Sequence, residues 1–205
     1  MSFTDDQKMA LAAPLDREHV AQREQAGRKF SYIEGWHAIA EANRIFGFDG
    51  WSRETVEIIQ LGEPRQTGEK WRVEYRARVR IEVGGIVRDG CGFGQGIDKD
   101  VGQAHESALK EAETDAMKRA LMTFGNPFGL ALYDKSQSNV AEALPESVRG
   151  MVEGLRSASA NGEVAMAAYW KAHWPAVPQE HRPHVLAVKE QLKAGNALVD
   201  NVRAG

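Results

Sequence analysis

The clearest pattern of apolar and polar positions runs through residues 71–83. Trp71, Val73, Tyr75, Ala77, Val79, Ile81 and Val83 alternate strictly with Arg72, Glu74, Arg76, Arg78, Arg80 and Glu82. A period of two is that of a strand with one face buried and the other in water. Gly84-Gly85 follows and suits a two-residue hairpin turn, so residues 86–97 are expected to return antiparallel beside it. Upstream, Val56, Ile58, Ile59 and Leu61 mark another strand over 51–61, set off by a turn region from Gly62 to Gly68 that contains Pro64.

The returning strand carries Gly90, Gly92, Gly94 and Gly96 at alternate positions, which strips one face of side chains. Glycine costs a strand about 0.5–1 kcal/mol in backbone entropy, so something must offset it. Tight helix packing, strong sheet curvature and close approach of a ligand each supply a reason. A long helix is predicted over 101–124, with Ala104, Ala108, Ala112 and Ala116 every four residues and Leu109, Ala120 and Phe124 extending the stripe. Lys118 falls nearly opposite that stripe and Arg119 on its flank. Before the sheet, Ser31 and Glu34 have the spacing of a capping box for a helix through Trp36, Ile39, Ala40, Asn43 and Phe46, ending at Gly47. The order helix–strand–strand–strand–helix predicts an α+β fold, an antiparallel three- to four-stranded sheet packed with a long helix.

After Lys135 the pattern changes. Residues 136–143 are polar and linker-like, and Pro145 is placed to open a helix over 146–158 that Asn161-Gly162 breaks. Ala165, Ala168, Tyr169 and Trp170 suggest a helix over 164–173, and prolines 175, 178 and 183 precede a last helix around 184–193. The expected divisions are a flexible N-terminal segment at 1–16, a main domain at 17–135, and a linker with a small helical appendage at 136–205, a candidate interaction segment.

Composition bounds this picture. A chain of 205 residues is long enough for one good core and a small appendage. The net charge is −3, of which 1–16 carry −2, 17–135 carry −1 and 136–205 carry none. The molecule as a whole does not attract a polyanion, so any such site has to come from local segregation of charge. The single cysteine, Cys91, excludes an internal disulfide framework and a cysteine-rich zinc module. No apolar run approaches the roughly 20 residues that span a bilayer, and Met1 to Asp6 lacks a signal-peptide pattern. A cytoplasmic protein with no membrane partner is expected.

The usual signatures of catalysis are missing. There is no G-x-x-x-x-G-K-[ST] sequence, and Gly92-Phe93-Gly94-Gln95-Gly96 has the wrong spacing and setting for a dinucleotide loop. His181 and His184 lie among prolines without acidic partners, and His105 points toward the alanine stripe as a packing residue. Glu111, Glu113 and Asp115 spread too widely around a helix to hold two metals. The chain is expected to be no enzyme and to need no cofactor or metal.

The cations are different in kind. Arg72, Arg76, Arg78 and Arg80 share one strand face at about 6.6–7 Å per step. Such a row either tracks a single-stranded backbone or is a solvated outer face paired with Glu74 and Glu82. Trp51, Trp71, Tyr75 and Phe93 are candidates for base stacking, although at strand positions most should be core.

Several ordered stretches then carry a resemblance: Tyr32-Ile33-Glu34-Gly35-Trp36; Ala42-Asn43-Arg44-Ile45-Phe46-Gly47-Phe48-Asp49-Gly50-Trp51; Val87-Arg88-Asp89-Gly90-Cys91-Gly92-Phe93-Gly94; and residues 110–135 with Thr114-Asp115, Met117-Lys118-Arg119-Ala120-Leu121, Phe124-Gly125-Asn126 and Asp134-Lys135. Over about residues 17–135 the chain resembles the N-terminal DNA-binding and ring-forming domain of the Rad52 family of single-strand annealing proteins. The resemblance implies ssDNA bound in a groove around a closed homo-oligomeric ring, and ATP-independent annealing in homologous recombination or double-strand break repair. By the same resemblance Lys118 and Arg119 match the Lys-Arg pair that holds the phosphate backbone, Arg23 resembles another groove arginine, and Lys99 falls where the family has a lysine on the DNA-binding surface. Arg72, Arg76, Arg78 and Arg80 are additional candidates without a motif match.

One departure is Met122, where the family pattern has a further arginine. Losing one phosphate contact implies weaker binding and a salt dependence shallower by about one unit. The appendage does not resemble the long C-terminal regions of eukaryotic members, which makes the chain look like a bacterial or phage member, nucleoid-associated when bound to DNA. A single-strand-binding protein or an exonuclease are the further candidate partners. The competing reading is a structural or protein-interaction module that oligomerises without annealing, favoured by the overall acidity and by Met122.

Overall fold

The central strand of the sheet is the one with the clearest alternation. In a computed structural model, which describes residues 2–25, 27–141, 144–190 and 192–193, the helices and strands are numbered in chain order. Strand β6 runs Lys70–Val83 and turns at Gly84 and Gly85, both at positive φ, into β7, Ile86–Asp98. The two pair antiparallel along their whole length, from Trp71 opposite Asp98 to Val83 opposite Ile86. On the other side of β6 lie β4, Trp51–Gln60, and the short β5, Arg65–Thr67, both antiparallel to it. A bulge between Thr55 and Glu57 shifts the β4 register, so that Ile58 lies opposite Ala77, while Thr55, opposite Val79, donates its hydroxyl to Glu113 at 2.5 Å.

Helix α3, Val101–Met122, covers that inner face, with Asp100 capping its start through the Gln103 amide. Ala104, Ala108, Ala112, Ala116 and Ala120 are all fully buried. The glycine face of β7 exists for this contact. A Cβ at Gly92 would sit 2.2 Å from the Ala116 nitrogen, and one at Gly96 would sit 1.7 Å from the Ala104 oxygen. Of the three reasons for that face, tight helix packing is the one the structure supports. The fold is α+β, with the α3–sheet layer as its core.

The region before the sheet departs from expectation. Ser31 caps no helix, because residues Arg28–Ile33 form strand β3, antiparallel to β2, Val20–Gln25, with Ser31 opposite Gln22. Helix α2, Gly35–Phe46, starts after that strand with Glu34 at its N-cap and no side-chain capping bond. Glu34 instead accepts a hydrogen bond from the Tyr32 hydroxyl at 3.0 Å. Cross-strand pairing thus outcompetes a local motif that the spacing alone favours. The helix ends as expected at Gly47, φ 87°.

Residues 1–16, expected to be flexible, contain helix α1, Asp5–Ala12, opened by a capping box between Thr4 and Gln7. Phe3 stacks on Phe46 at 5.9 Å, and Phe46 in turn meets Phe124 and Phe128. Strand β1, Leu15–Asp16, pairs parallel with β8, Val140–Ala141, inside the stretch expected to be a linker. Between α3 and β8 the chain makes two 3₁₀ turns, Asn126–Phe128 and Leu130–Leu132, hinged at Gly129, φ 93°.

The chain divides into two compact units, Met1–Glu142 and Ala143–Gly205. The second has its own small core of Val148, Met151, Val152, Val177, Val185 and Val188. It is built from α4, Glu146–Ala160, α5, Glu163–His173, and a helical stretch at 182–190. Gln191, inside the last predicted helix, and residues 194–205 lie outside the described residues. No helix among the described residues is long and apolar enough to cross a membrane.

Candidate nucleic-acid interface

Three stretches far apart in sequence meet around one open groove of about 880 Å³. The end of α3 supplies Lys118 and Arg119, the β2–β3 hairpin supplies Arg23 and Tyr32, and the turns after α3 supply Gly129 and Tyr133. Lys118 is half-buried because it follows the buried Met117 on a helix whose opposite side is pressed to the sheet. Its Nζ donates to the Ile33 carbonyl at 3.3 Å and lies 5.4 Å from the centre of the Tyr32 ring. Ile33 ends β3, so that carbonyl is turned out of the ladder toward α3. The Arg23 guanidinium lies 5.7 Å from the same ring.

Two like charges that repel in isolation are therefore gathered around one electron-rich aromatic ring. Burial pulls the Lys118 amine below the ordinary lysine range, opposed by the Asp115 and Glu34 carboxylates. The hydrogen bond to Glu34 holds the Tyr32 phenol above its ordinary value, so the ring stays neutral between the cations.

Arg119 faces the same groove but is paired. Its Nε donates to Asp115 at 3.0 Å, which pushes its pKa up, and the Tyr133 hydroxyl adds to that effect from nearby. Asp115 also accepts from the Phe93 backbone N–H at 3.3 Å, and Glu111, one turn earlier, accepts from Gln95 N–H at 2.9 Å. These two carboxylates close donors on the outer edge of β7 that an added strand would otherwise take. Glu113 turns away to Thr55 and to Arg53 at 2.6 Å. The three acids do not converge, and among the described residues no group of three or more His, Cys, Asp or Glu could hold a metal.

The other predicted cations lie elsewhere. Lys99 pairs with Glu69 at 2.6 Å, about 25 Å from Lys118 along the helix at 1.5 Å per residue. Arg72, Arg76, Arg78 and Arg80 occupy the sheet face turned away from α3. Arg72 meets Glu74 at 2.7 Å, Arg76 meets Glu57 at 3.3 Å, and Asp89 takes Arg80 at 2.9 Å and Arg78 at 3.8 Å. That is the solvated, ion-paired outer face, and the row does not join the groove. Met122 does line it, so an apolar side chain stands where the family pattern has arginine. Of the candidate stacking aromatics, Trp51, Trp71 and Tyr75 pack against the core, and Trp51 donates to Asn43 at 2.9 Å.

Sequence reasoning missed Tyr32 as the organiser of Arg23 and Lys118. The signal was present as paired short segments around Gly27, φ 73°, but the Ser31–Glu34 spacing masked it.

The domain is thus an α+β layer that presents cations from a helix end and a hairpin to one open groove. The sequence matches the model of the Rad52/22 family of double-strand break repair proteins over residues 4–148, and the chain belongs to that family. It is 39% identical over 139 residues to the DNA repair and recombination protein RAD52 of Eremothecium gossypii, covering 66% of this chain and 32% of that protein. With the protein of the same name from Saccharomyces cerevisiae it shares 38% over 138 residues, 65% of this chain and 29% of the relative. With the DNA repair and recombination protein mus-11 of Neurospora crassa it shares 31% over 203 residues, 95% of this chain and 29% of the relative. The chain thus spans about a third or less of these relatives' length. All three are fungal, which gives no support to the expected bacterial or phage membership or to the nucleoid association that goes with it.

Proposed function

We propose that this chain is an ATP-independent ssDNA-binding protein that anneals complementary strands in homologous recombination or double-strand break repair. The observation that carries this reading is the convergence of Lys118, Arg119 and Arg23 on one groove from separate elements. Membership of a double-strand break repair family supports it, as do relatives named for DNA repair and recombination. The groove holds phosphates by charge. Base pairing between the strands drives the reaction, and the protein lowers the cost of bringing two polyanions together.

Each protomer would contribute a short arc. The sheet has an unpaired edge at β4, and closing several copies into a ring would cover such an edge and join the arcs into one track. Neighbouring protomers then engage successive phosphates at high effective concentration. Three phosphates per protomer predict a salt slope of about −2 for single strands, from roughly −0.7 per phosphate. A single-strand-binding protein or an exonuclease would deliver the strands.

Filter binding tests the assignment. Lys118→Ala and Arg119→Ala should each weaken ssDNA binding for all sequences alike, with Lys118→Ala flattening the salt slope by about 0.7. Curves superimposable on the parent's for both variants would remove the groove from the reading. The competing reading, an oligomerising module that does not anneal, draws on Glu111 and Asp115 lining the same groove. A gel shift with a labelled 50-mer that shows no salt-sensitive complex would favour it.

A further inference from the structure

Two aromatic side chains stand in water on the walls of the groove. Phe30 is directly opposite Arg23 in the β2–β3 register, so the two side chains leave the same face of the hairpin, and Tyr32, two residues on, shares it. Phe30 remains 43% exposed and Tyr133 65% exposed, and both line the cavity. Neither ring fills a core position, whereas Phe128, which also lines the cavity, is 1% exposed. Phe93 differs from both. It too borders the cavity and is 49% exposed, but it lies opposite Arg76 on the sheet face turned away from α3, and its backbone N–H bonds Asp115 on the groove side.

Exposed apolar surface inside a charged concavity marks a ligand that has both characters. A single-stranded nucleotide chain is such a ligand, with a charged backbone and uncovered base faces. A duplex offers its phosphates but keeps its base faces stacked. Cations around Tyr32 together with exposed Phe30 and Tyr133 in one cavity match the single strand.

We propose that Phe30 and Tyr133 contact the bases of bound ssDNA, so that the groove grips bases as well as phosphates. This rests on the phosphate groove proposed above. The contact is sequence-tolerant because every base has a π face. It adds affinity that salt does not screen, and it offsets the arginine lost at Met122. Bases held this way are registered against the wall until a complementary strand competes for them.

Fluorescence anisotropy with two labelled strands of equal phosphate count, one normal and one fully abasic, tests the proposal. The parent protein should bind the normal strand more tightly. Phe30→Ala and Tyr133→Ala should each weaken binding to the normal strand by at least about fivefold, the lower end of base–aromatic stacking. They should leave the abasic strand and the salt slope unchanged, and Phe30→Trp and Tyr133→Phe should restore the parent's preference. A parent that binds both strands equally, with Lys118→Ala weakening both, would refute base contact and leave the phosphate groove standing. Binding to neither strand removes the groove reading and this one with it. Alanine variants that weaken both strands equally mean that the rings only shape the groove. Variants that change the mass measured by light scattering, without a base-dependent loss, mean that a second copy covers the rings. Either result overturns the proposal.

Discussion

Replacing Gly92 with alanine adds one methyl group to the face of β7 that lies against α3. On the existing backbone its Cβ would stand 2.2 Å from the Ala116 nitrogen and 2.3 Å from the Ala112 oxygen, whereas ordinary contact begins at 3.4 Å. The helix would therefore have to retreat by about 1 Å to reach van der Waals distance. Both obstructing atoms are backbone, so no change of rotamer relieves the overlap. Nor is the retreat local, because five alanines of α3 are fully buried along its length. Overpacking a well-packed core costs about 1–3 kcal/mol, and a clash that displaces a whole helix belongs at the top of that range. We expect a loss of about 3 kcal/mol, a large fraction of the roughly 5–15 kcal/mol that holds a domain folded. Urea unfolding followed by tryptophan fluorescence measures it as a lower midpoint. Trimming the facing side chain should not help, so Gly92→Ala combined with Ala116→Gly should be no more stable than Gly92→Ala alone. A midpoint equal to the parent's, or recovery in the double variant, would refute the packing argument. Since α3 also carries Lys118 and Arg119, the folded fraction of Gly92→Ala should bind ssDNA more weakly.

Asp115→Asn removes a carboxylate from the groove and releases Arg119 while leaving an oxygen for the Phe93 N–H. The pair is half exposed, at 53% for the arginine, so the gain in ssDNA affinity should be modest, up to about fivefold at low salt and less at high salt. No gain in a low-salt anisotropy titration would show that phosphate does not compete for Arg119. His37 provides a pH prediction. Burial, and then the His19 ring stacked at 4.1 Å, depress its pKa below the ordinary 6.5. Its stabilising contribution is therefore present above about pH 6.5 and is lost as pH falls through the folded value, because the unfolded chain binds the proton first. Unfolding midpoints should fall with acidification below that point, and His37→Leu should flatten this part of the profile. A variant profile parallel to the parent's would place the acid sensitivity elsewhere.

The sheet core was legible because its signals repeat. Seven alternations in β6, a positive-φ glycine pair and a four-residue alanine stripe each specify geometry without help from distant residues. The structure keeps them as Lys70–Val83, Ile86–Asp98 and Val101–Met122. The β2–β3 hairpin was not legible, because neither of its strands is buried on one whole face and Ser31 and Glu34 imitate a capping box. The real capping box, Thr4 to Gln7, lay in a segment dismissed as flexible, although the same rule applied there. A local motif has meaning only once tertiary pairing has chosen which residues are free to use it.

The site shows the same competition in charge. Arg72, Arg76, Arg78 and Arg80 are the densest cations in the sequence, but their own strand and the two beside it supply Glu74, Glu57 and Asp89 as partners. Arg23 and Lys118 have only neutral neighbours within bonding reach among the described residues, a tyrosine ring and a carbonyl. Sequence density of arginine therefore points to the wrong face, and the field available to phosphate is set by the charges that the fold leaves unpaired. It follows that the strand row cannot substitute for the groove. Removing Arg76 and Arg80 together should leave ssDNA affinity within about twofold of the parent, since two paired surface arginines carry little net field at physiological salt. Lys118→Ala alone should cost more than that, and a larger loss from the strand pair in the same titration would reverse the assignment of the two faces.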